Sequence, residues 1–148
     1  MSRKSAREAA VHMIFEYGYN ASCVEDILEH RFSPEFLATV KEDFELYSDI
    51  GNTQRKYVRE VFEGTVEKLD EIDAAIKKNS IGWDLRRISR VAMAIMRVAI
   101  YEAKYMDEIP PSVAINEAVE IAKKYEPAET VAFINGILGS VVREEPKE

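Results

Sequence analysis

The sequence predicts an all-α fold, and three observations carry this prediction. Apolar residues recur at the 3.6-residue spacing of helices along the chain, and no stretch alternates as a β-strand does. Capping residues and prolines mark the ends of the apolar segments. No proline- or glycine-rich linker divides the 148 residues. We therefore expect about seven helices in one domain over residues 1–148, with a basic N-terminal arm at 1–5 and a frayed tail at 143–148.

The first third of the chain contains three predicted helix starts. Ser5 and Glu8 form a capping-box pattern, in which a hydroxyl and a carboxylate bind backbone N–H groups at a helix start. The same pattern recurs at residues 22–25. A serine-proline pair at 33–34 places a capping hydroxyl before a proline that suits the first helical position. Residues 48–52 are predicted to form a loop.

The remaining helices are predicted from apolar faces and prolines. Residues 53–76 carry one apolar helical face, with a break near Asp70. Asp84 is predicted to cap the long helix that follows it. The prolines at 110–111 open the next helix and Pro127 ends it, because proline suits a first turn and cannot continue a helix. A last apolar face follows Pro127.

The composition excludes several classes of protein. Hydrophobic residues make up 47% of the chain and charged residues 32%, unlike a disordered or a membrane protein. No apolar run approaches the roughly 20 residues that span a bilayer, and the N-terminus lacks a signal-peptide cleavage pattern. The one cysteine, Cys23, cannot form an internal disulfide and suits a reducing compartment. We expect a cytoplasmic protein without membrane association.

Residues with catalytic or metal-binding chemistry are few. His12 and His30 lack the Glu-x-x-His spacing of di-iron bundles, and Asp26 with His30 is more typical of a charged helix face than of a metal site. Cys23 has no histidine paired with it in the sequence. None of the six glycines forms a phosphate-binding loop. We therefore predict no enzyme activity, no metal and no cofactor.

Two basic regions interrupt a chain of net charge −7. The first is in the long helix after residue 84, where four cations fall within roughly 40° of one another at ~100° per residue. They are Arg86, Arg90, Arg97 and Lys104. Such a ridge can contact phosphates or an acidic partner surface. The alternative is a solvated face whose charge is neutralised by acidic neighbours or internal ion pairs.

The second basic region, formed by Arg3, Lys4 and Arg7, precedes an amphipathic segment that contains Phe15. Cations that bind the backbone, beside aromatic rings on which bases stack, are typical of single-stranded RNA binding. Phe15 also lies on the apolar arc of its helix, so packing in the core is the alternative for that ring.

Glu102 is an unexpected residue on an apolar helix face. It projects at roughly the same angle as Val91 and Ile95. A buried carboxylate is costly unless it is paired or hydrogen-bonded. We expect Glu102 to bond either a helix N-terminus or an arginine.

Four segments stand out by their order and spacing. They are SRKSAREAAVHMIF at 2–15, ISRVAMAIMRVAIYEA at 88–103, IPPSVAINEAVEIAKKY at 109–125 and FINGIL at 133–138. Together they resemble the NusB family of bacterial transcription antitermination factors, over nearly the whole chain. The resemblance implies two small helical bundles packed together and a function without catalysis.

The resemblance also implies partners. NusB-like proteins pair with NusE, a ribosomal protein of the small subunit. The pair binds boxA-type single-stranded RNA and acts in the RNA polymerase antitermination complex of ribosomal RNA operons. Proteins of this family occur as monomers and as homodimers.

Site residues follow from matching positions to the family. The implied RNA-binding residues are Arg3, Lys4, Arg7, His12, Phe15, Glu129 and Phe133. The implied NusE-binding residues are Arg86, Arg90, Arg97, Lys104 and Pro111. Phe15 and Pro111 stand where some relatives have tyrosine.

Two other readings of the same chain stay open. The first is a structural, homodimerising helical scaffold without RNA binding. The second is the NusB-like domain of a ribosomal RNA cytosine methyltransferase, which we disfavour because these 148 residues contain no cofactor-binding domain.

Overall fold

All the described secondary structure is helical, which confirms the all-α prediction. The computed structural model describes residues 2–20, 26–27, 52–82, 84 and 87–144. The helices bounded within these ranges are α1 (Arg3–Asn20), α2 (Asn52–Glu67), α3 (Leu69–Lys78), α4 (Arg90–Tyr105), α5 (Pro111–Tyr125) and α6 (Ala128–Glu144). The helix starts predicted at 22–25 and 33–34 lie outside the described residues, as do Cys23 and His30.

Helix α1 begins earlier than predicted because a different serine provides its cap. The hydroxyl of Ser2 accepts a hydrogen bond from the backbone N–H of Ser5 at 3.1 Å. The helix therefore starts at Arg3, and Ser5 lies within its first turn. The prediction of Ser5 as the cap was wrong because two serines stand three residues apart, and either one satisfies the local pattern.

Helix α4 likewise begins at a serine. The hydroxyl of Ser89 accepts from the backbone N–H of Ala92 at 3.0 Å and caps the helix. Asp84, the predicted cap, lies five residues earlier, and its backbone carbonyl accepts from the N–H of Arg87 in the preceding turn. A capping side chain must directly precede the first helical residue, so Asp84 cannot cap α4.

The other boundaries agree closely with the sequence. Helices α2 and α3 are separated at Lys68, two residues before the predicted break. Helix α5 starts at Pro111 and ends ahead of Pro127. Helix α6 continues through Glu144, two residues into the predicted tail, and the carboxylate of Glu144 pairs with Lys78 on α3.

Helix α4 lies at the centre of the fold. It contacts each of the other five helices, and no side chain from Val91 to Met106 is fully exposed. Helices α1 and α2 pack against each other and against α4. Helices α5 and α6 also pack against each other and against α4. Helix α4 therefore packs in two groups, one with α1 and α2 and one with α5 and α6, which agrees with the expected two small bundles. None of the described helices combines the length and hydropathy that crossing a membrane requires.

The first half of α1 is enclosed by protein. Residues 6–11 are all buried. Because this run is longer than one helical turn, every side of the helix is covered there. Arg7 and Glu8 fall within the run, so both charges need partners inside the protein.

Replacing Gly64 of α2 by alanine is expected to destabilise the fold by about 1 kcal/mol. An added Cβ would lie 2.1 Å from the ring of Tyr101 on α4, so that ring would have to move. The cost stays small because Tyr101 is only half-buried. Gly136→Ala in α6 is the matched control, since its Cβ position is open and alanine is the better helix former. Urea unfolding should give shifts of opposite sign, and equal shifts would contradict this contact between α2 and α4.

Candidate functional site

The N-terminal basic residues lie on helix α1. The guanidinium carbon of Arg3 lies 3.9 Å from the ring centroid of Tyr57, and its Nε donates to the Oε1 of Gln54 at 2.9 Å. Lys4 is exposed. The two cations therefore present charge at the start of α1, and Arg3 is anchored on α2.

Arg7 is buried, which corrects its expected place on the surface. Its Nε donates to both carboxylate oxygens of Glu102, at 2.8 and 3.0 Å, and the two residues are 5% and 0% exposed. The hydroxyl of Tyr57 also donates to Glu102, at 2.9 Å. The expectation that Glu102 pairs with an arginine is confirmed. The guanidinium of Arg7 lies inside the protein because α1 is covered on every side at this position.

Burial and the neighbouring carboxylate of Glu102 together shift the pKa values of Arg7 and Tyr57. Burial alone would lower the pKa of Arg7, but the hydrogen bond and charge of Glu102 outweigh burial and raise it. Burial raises the pKa of Tyr57, and the negative charge of Glu102 raises it further. Arg7 therefore stays protonated and Tyr57 stays neutral, so both donate to Glu102 at neutral pH. The cluster joins α1, α2 and α4.

A second polar cluster links α1 to the end of α5. The buried carboxylate of Glu8 accepts from the Nζ of Lys124 and the hydroxyl of Tyr125, both at 2.6 Å. The Nε2 of His12 lies 2.9 Å from the same hydroxyl. Burial alone would raise the pKa of Glu8, but the bonds from Lys124 and Tyr125 outweigh it, so the pKa is lowered. Because Lys4, Glu8 and His12 are spaced by four residues, they share one face of α1.

Lys124 and Tyr125 are absent from the predicted site, although both are exposed beside His12. The rings of His12 and Tyr125 meet edge to face, with centroids 5.9 Å apart. The only signal in the sequence is a Lys-Lys-Tyr run before Pro127. Lysines in the last turn of a helix are common because they interact favourably with the helix dipole, so this run did not indicate a site.

Phe15 and two predicted partner-binding residues lie in the same cleft. Phe15 is half-buried and lines a space of about 170 Å³ with Gly18, Arg90, Met93 and Arg97. The family resemblance assigned Phe15 to RNA and the arginines to NusE. The structure brings these side chains together between α1 and α4.

The predicted arginine ridge is not one exposed stripe. Arg97 is half-buried and bonds Asp73 of α3 through two contacts, at 2.8 and 2.9 Å, as the ion-pair alternative expected. Arg90 is exposed at the first residue of α4, and Lys104 is half-buried near its end. Arg86 lies outside the described residues. Pro111 is half-buried at the first residue of α5.

Glu129 and Phe133, both on α6, line another cleft of the protein. Its volume is about 420 Å³, and Gly136 and Ile81 complete part of its wall. Glu129 is exposed, whereas Phe133 is only 5% exposed, so its ring packs mainly inside the protein. Ile81 is 90% exposed in the turn after α3. In the part of the chain that the structure describes, no group of three or more metal-binding side chains is present.

Comparison with known proteins identifies the family. The model of the NusB family matches residues 4–143. The transcription antitermination protein NusB of Acetivibrio thermocellus is 41% identical over 143 residues, which cover 97% of this chain and 90% of the relative. The corresponding protein of Thermoanaerobacter sp. is 38% identical over 148 residues, covering 100% and 95%.

Solved structures agree with this result. NusB of T. maritima superposes with a TM-score of 0.75 at 26% identity, covering 99% of this chain and 94% of that one. A structure of antitermination factors NusB and NusE in complex with double-stranded RNA gives a TM-score of 0.76 at 20% identity, covering 97% of each chain. From the match over residues 4–143 and the relatives of similar length, we conclude that this chain belongs to the NusB family.

Proposed function

We propose that this chain is a non-catalytic transcription antitermination factor of the cytoplasm, which pairs with a NusE-type protein and binds boxA-type RNA. One observation carries the proposal: Lys4 shares a face of α1 with Glu8 and His12, whose side chains contact the exposed Lys124 and Tyr125 at the end of α5, and Arg3 stands beside Lys4 in the first turn. This basic-aromatic surface consists of Arg3, Lys4, His12, Lys124 and Tyr125. Its residues come from the two helices that Glu8 joins.

The chemistry of this surface suits single-stranded RNA. Arg3 and Lys4 can bind phosphates, and the exposed ring of Tyr125 offers a face on which a base can stack. The charge of Lys124 is offset by Glu8, at 2.6 Å, so it contributes less. Two or three phosphate contacts give modest affinity that falls steeply with salt. A protein partner that binds the same RNA would raise the affinity by avidity.

The NusE-type partner is proposed to bind at the starts of α4 and α5. Arg90 is exposed there and Pro111 is half-exposed. We do not assign Arg97 a direct contact, because both of its bonds go to Asp73 within the fold. A NusB protein of the same fold was solved together with NusE and double-stranded RNA, which supports an assembly of this chain with a protein partner and RNA.

The test is fluorescence anisotropy of a labelled boxA-type RNA, titrated with the protein alone and then with equimolar NusE, at two salt concentrations. An RNA of the same composition in scrambled order is the control. We expect tighter and sequence-selective binding when NusE is present. Absence of RNA binding in both conditions, by protein shown to be folded, would contradict the proposal and favour the homodimeric scaffold.

A further inference from the structure

Two residues of α2 hold Arg3 in one orientation. The side-chain amide of Gln54 accepts from the Nε of Arg3 at 2.9 Å, and the ring of Tyr57 lies against its guanidinium at 3.9 Å. We propose that Gln54 and Tyr57 are positioning residues for RNA binding. They hold the guanidinium of Arg3 in place on the basic-aromatic surface before RNA binds. This inference rests on the proposed function.

The support beneath Arg3 is rigid. Tyr57 is buried, and its hydroxyl donates to the fully buried Glu102 at 2.9 Å. Glu102 also accepts both bonds from Arg7. Turning the ring of Tyr57 would leave buried polar groups without partners, which is costly. The position of Arg3 is therefore coupled to a cluster that joins three helices.

Arg3 keeps its capacity to bind a phosphate while it is held. A guanidinium has five N–H donors, and Gln54 uses the one on Nε. Tyr57 contacts the guanidinium through its ring, at 3.9 Å from the ring centroid, and this cation–π contact uses no N–H donor. Within the described residues, the two terminal amino groups of Arg3 have no hydrogen bond, and the side chain is partly exposed. These amino groups can make the paired bonds that arginine forms with phosphate.

Holding the side chain in advance reduces the entropy lost when RNA binds. Ordering one flexible side chain at an interface costs an amount that corresponds to about two- to tenfold in affinity. Gln54→Met removes the acceptor while keeping the size of the side chain. We expect it to weaken RNA binding by about two- to tenfold without changing the melting temperature.

Two measurements test the inference. The first is hydrogen exchange of the Arg3 Nε–H by NMR in the full chain without RNA, which we expect Gln54→Met to accelerate. The second is a double-mutant cycle in RNA affinity with Arg3→Met, with the labelled boxA-type RNA and NusE. If Gln54 acts through Arg3, Gln54→Met has no further effect when Arg3 is already methionine. Thr53→Val, an exposed polar-to-apolar change in the same turn of α2, is the matched control.

The outcomes separate this inference from the proposed function. An equal loss of affinity from Gln54→Met in both backgrounds would overturn the inference, because the residue would then act independently of Arg3. Unchanged affinity in a protein that binds RNA would also overturn it. If the wild-type protein binds no RNA, the proposed function fails and takes this inference with it. The exchange measurement then reports separately whether Gln54 restrains Arg3.

Discussion

Glu102→Ala should lower the free energy of unfolding by about 3–5 kcal/mol, because it removes the carboxylate that is hydrogen-bonded to the buried Arg7 and leaves only Glu117, at 3.8 Å, beside that charge. Both side chains are almost fully buried, and the carboxylate accepts three bonds from two residues. Urea unfolding followed by circular dichroism measures the change. Such a loss approaches the whole stability of many small domains, so a partly unfolded variant is itself an expected result.

Two further variants show whether the charge pair is responsible. Glu102→Gln keeps an oxygen that can accept but removes the negative charge, so a substantial part of the loss should remain. Combining Arg7→Met with Glu102→Met removes both charges, and we expect the double variant to be more stable than Glu102→Ala. If Glu102→Gln keeps the wild-type melting temperature, the structural role of this carboxylate is refuted.

Arg3→Gln combined with Lys4→Gln should weaken RNA binding about 25-fold in 0.1 M salt. Each phosphate neutralised on a single strand contributes roughly 0.7 to the slope of log affinity against log salt, or about fivefold at that concentration. Losing two contacts should reduce the slope by about 1.4. Anisotropy titrations in the presence of NusE, at four salt concentrations, measure both quantities.

The control removes two positive charges elsewhere. Lys77→Gln with Arg143→Gln changes net charge by the same amount at the ends of α3 and α6, where both residues are exposed. We expect little change in the salt slope, since these sites lie outside the basic-aromatic surface. Equal effects from the two double variants would mean that net charge, and not this surface, governs RNA affinity.

Local patterns predicted the helices but not which of their residues carry function. The helical period is a property of neighbouring residues, so the apolar faces and the proline-bounded ends agree with the structure. The same reasoning placed Glu102 on a buried face and expected either a helix N-terminus or an arginine as its partner, and the structure shows the arginine. Arg7 was grouped with the surface cations because it stands close to Arg3 and Lys4 in the sequence and matches a position of the family's RNA-binding surface. Its burial depends on helices that are distant in the sequence.

The distinction between a binding cation and a structural one is a tertiary property. Arg97 and Asp73 are 24 residues apart, and Arg7 and Glu102 are 95 apart. No local pattern specifies such pairs, because they form only when α4 packs against α3 and α1. Lys124 and Tyr125 reach Glu8 in the same way, across more than 110 residues.

The sequence alone determined the all-α class, the NusB resemblance and the presence of cations at the N-terminus, because periodicity, motif order and residue identity are local. Only the tertiary structure decided that Arg3 stays at the surface while Arg7 turns inward, although both lie on α1. The reason is physical: α1 is partly exposed at its first turn and enclosed over residues 6–11. A charge that is enclosed must find a partner within the protein.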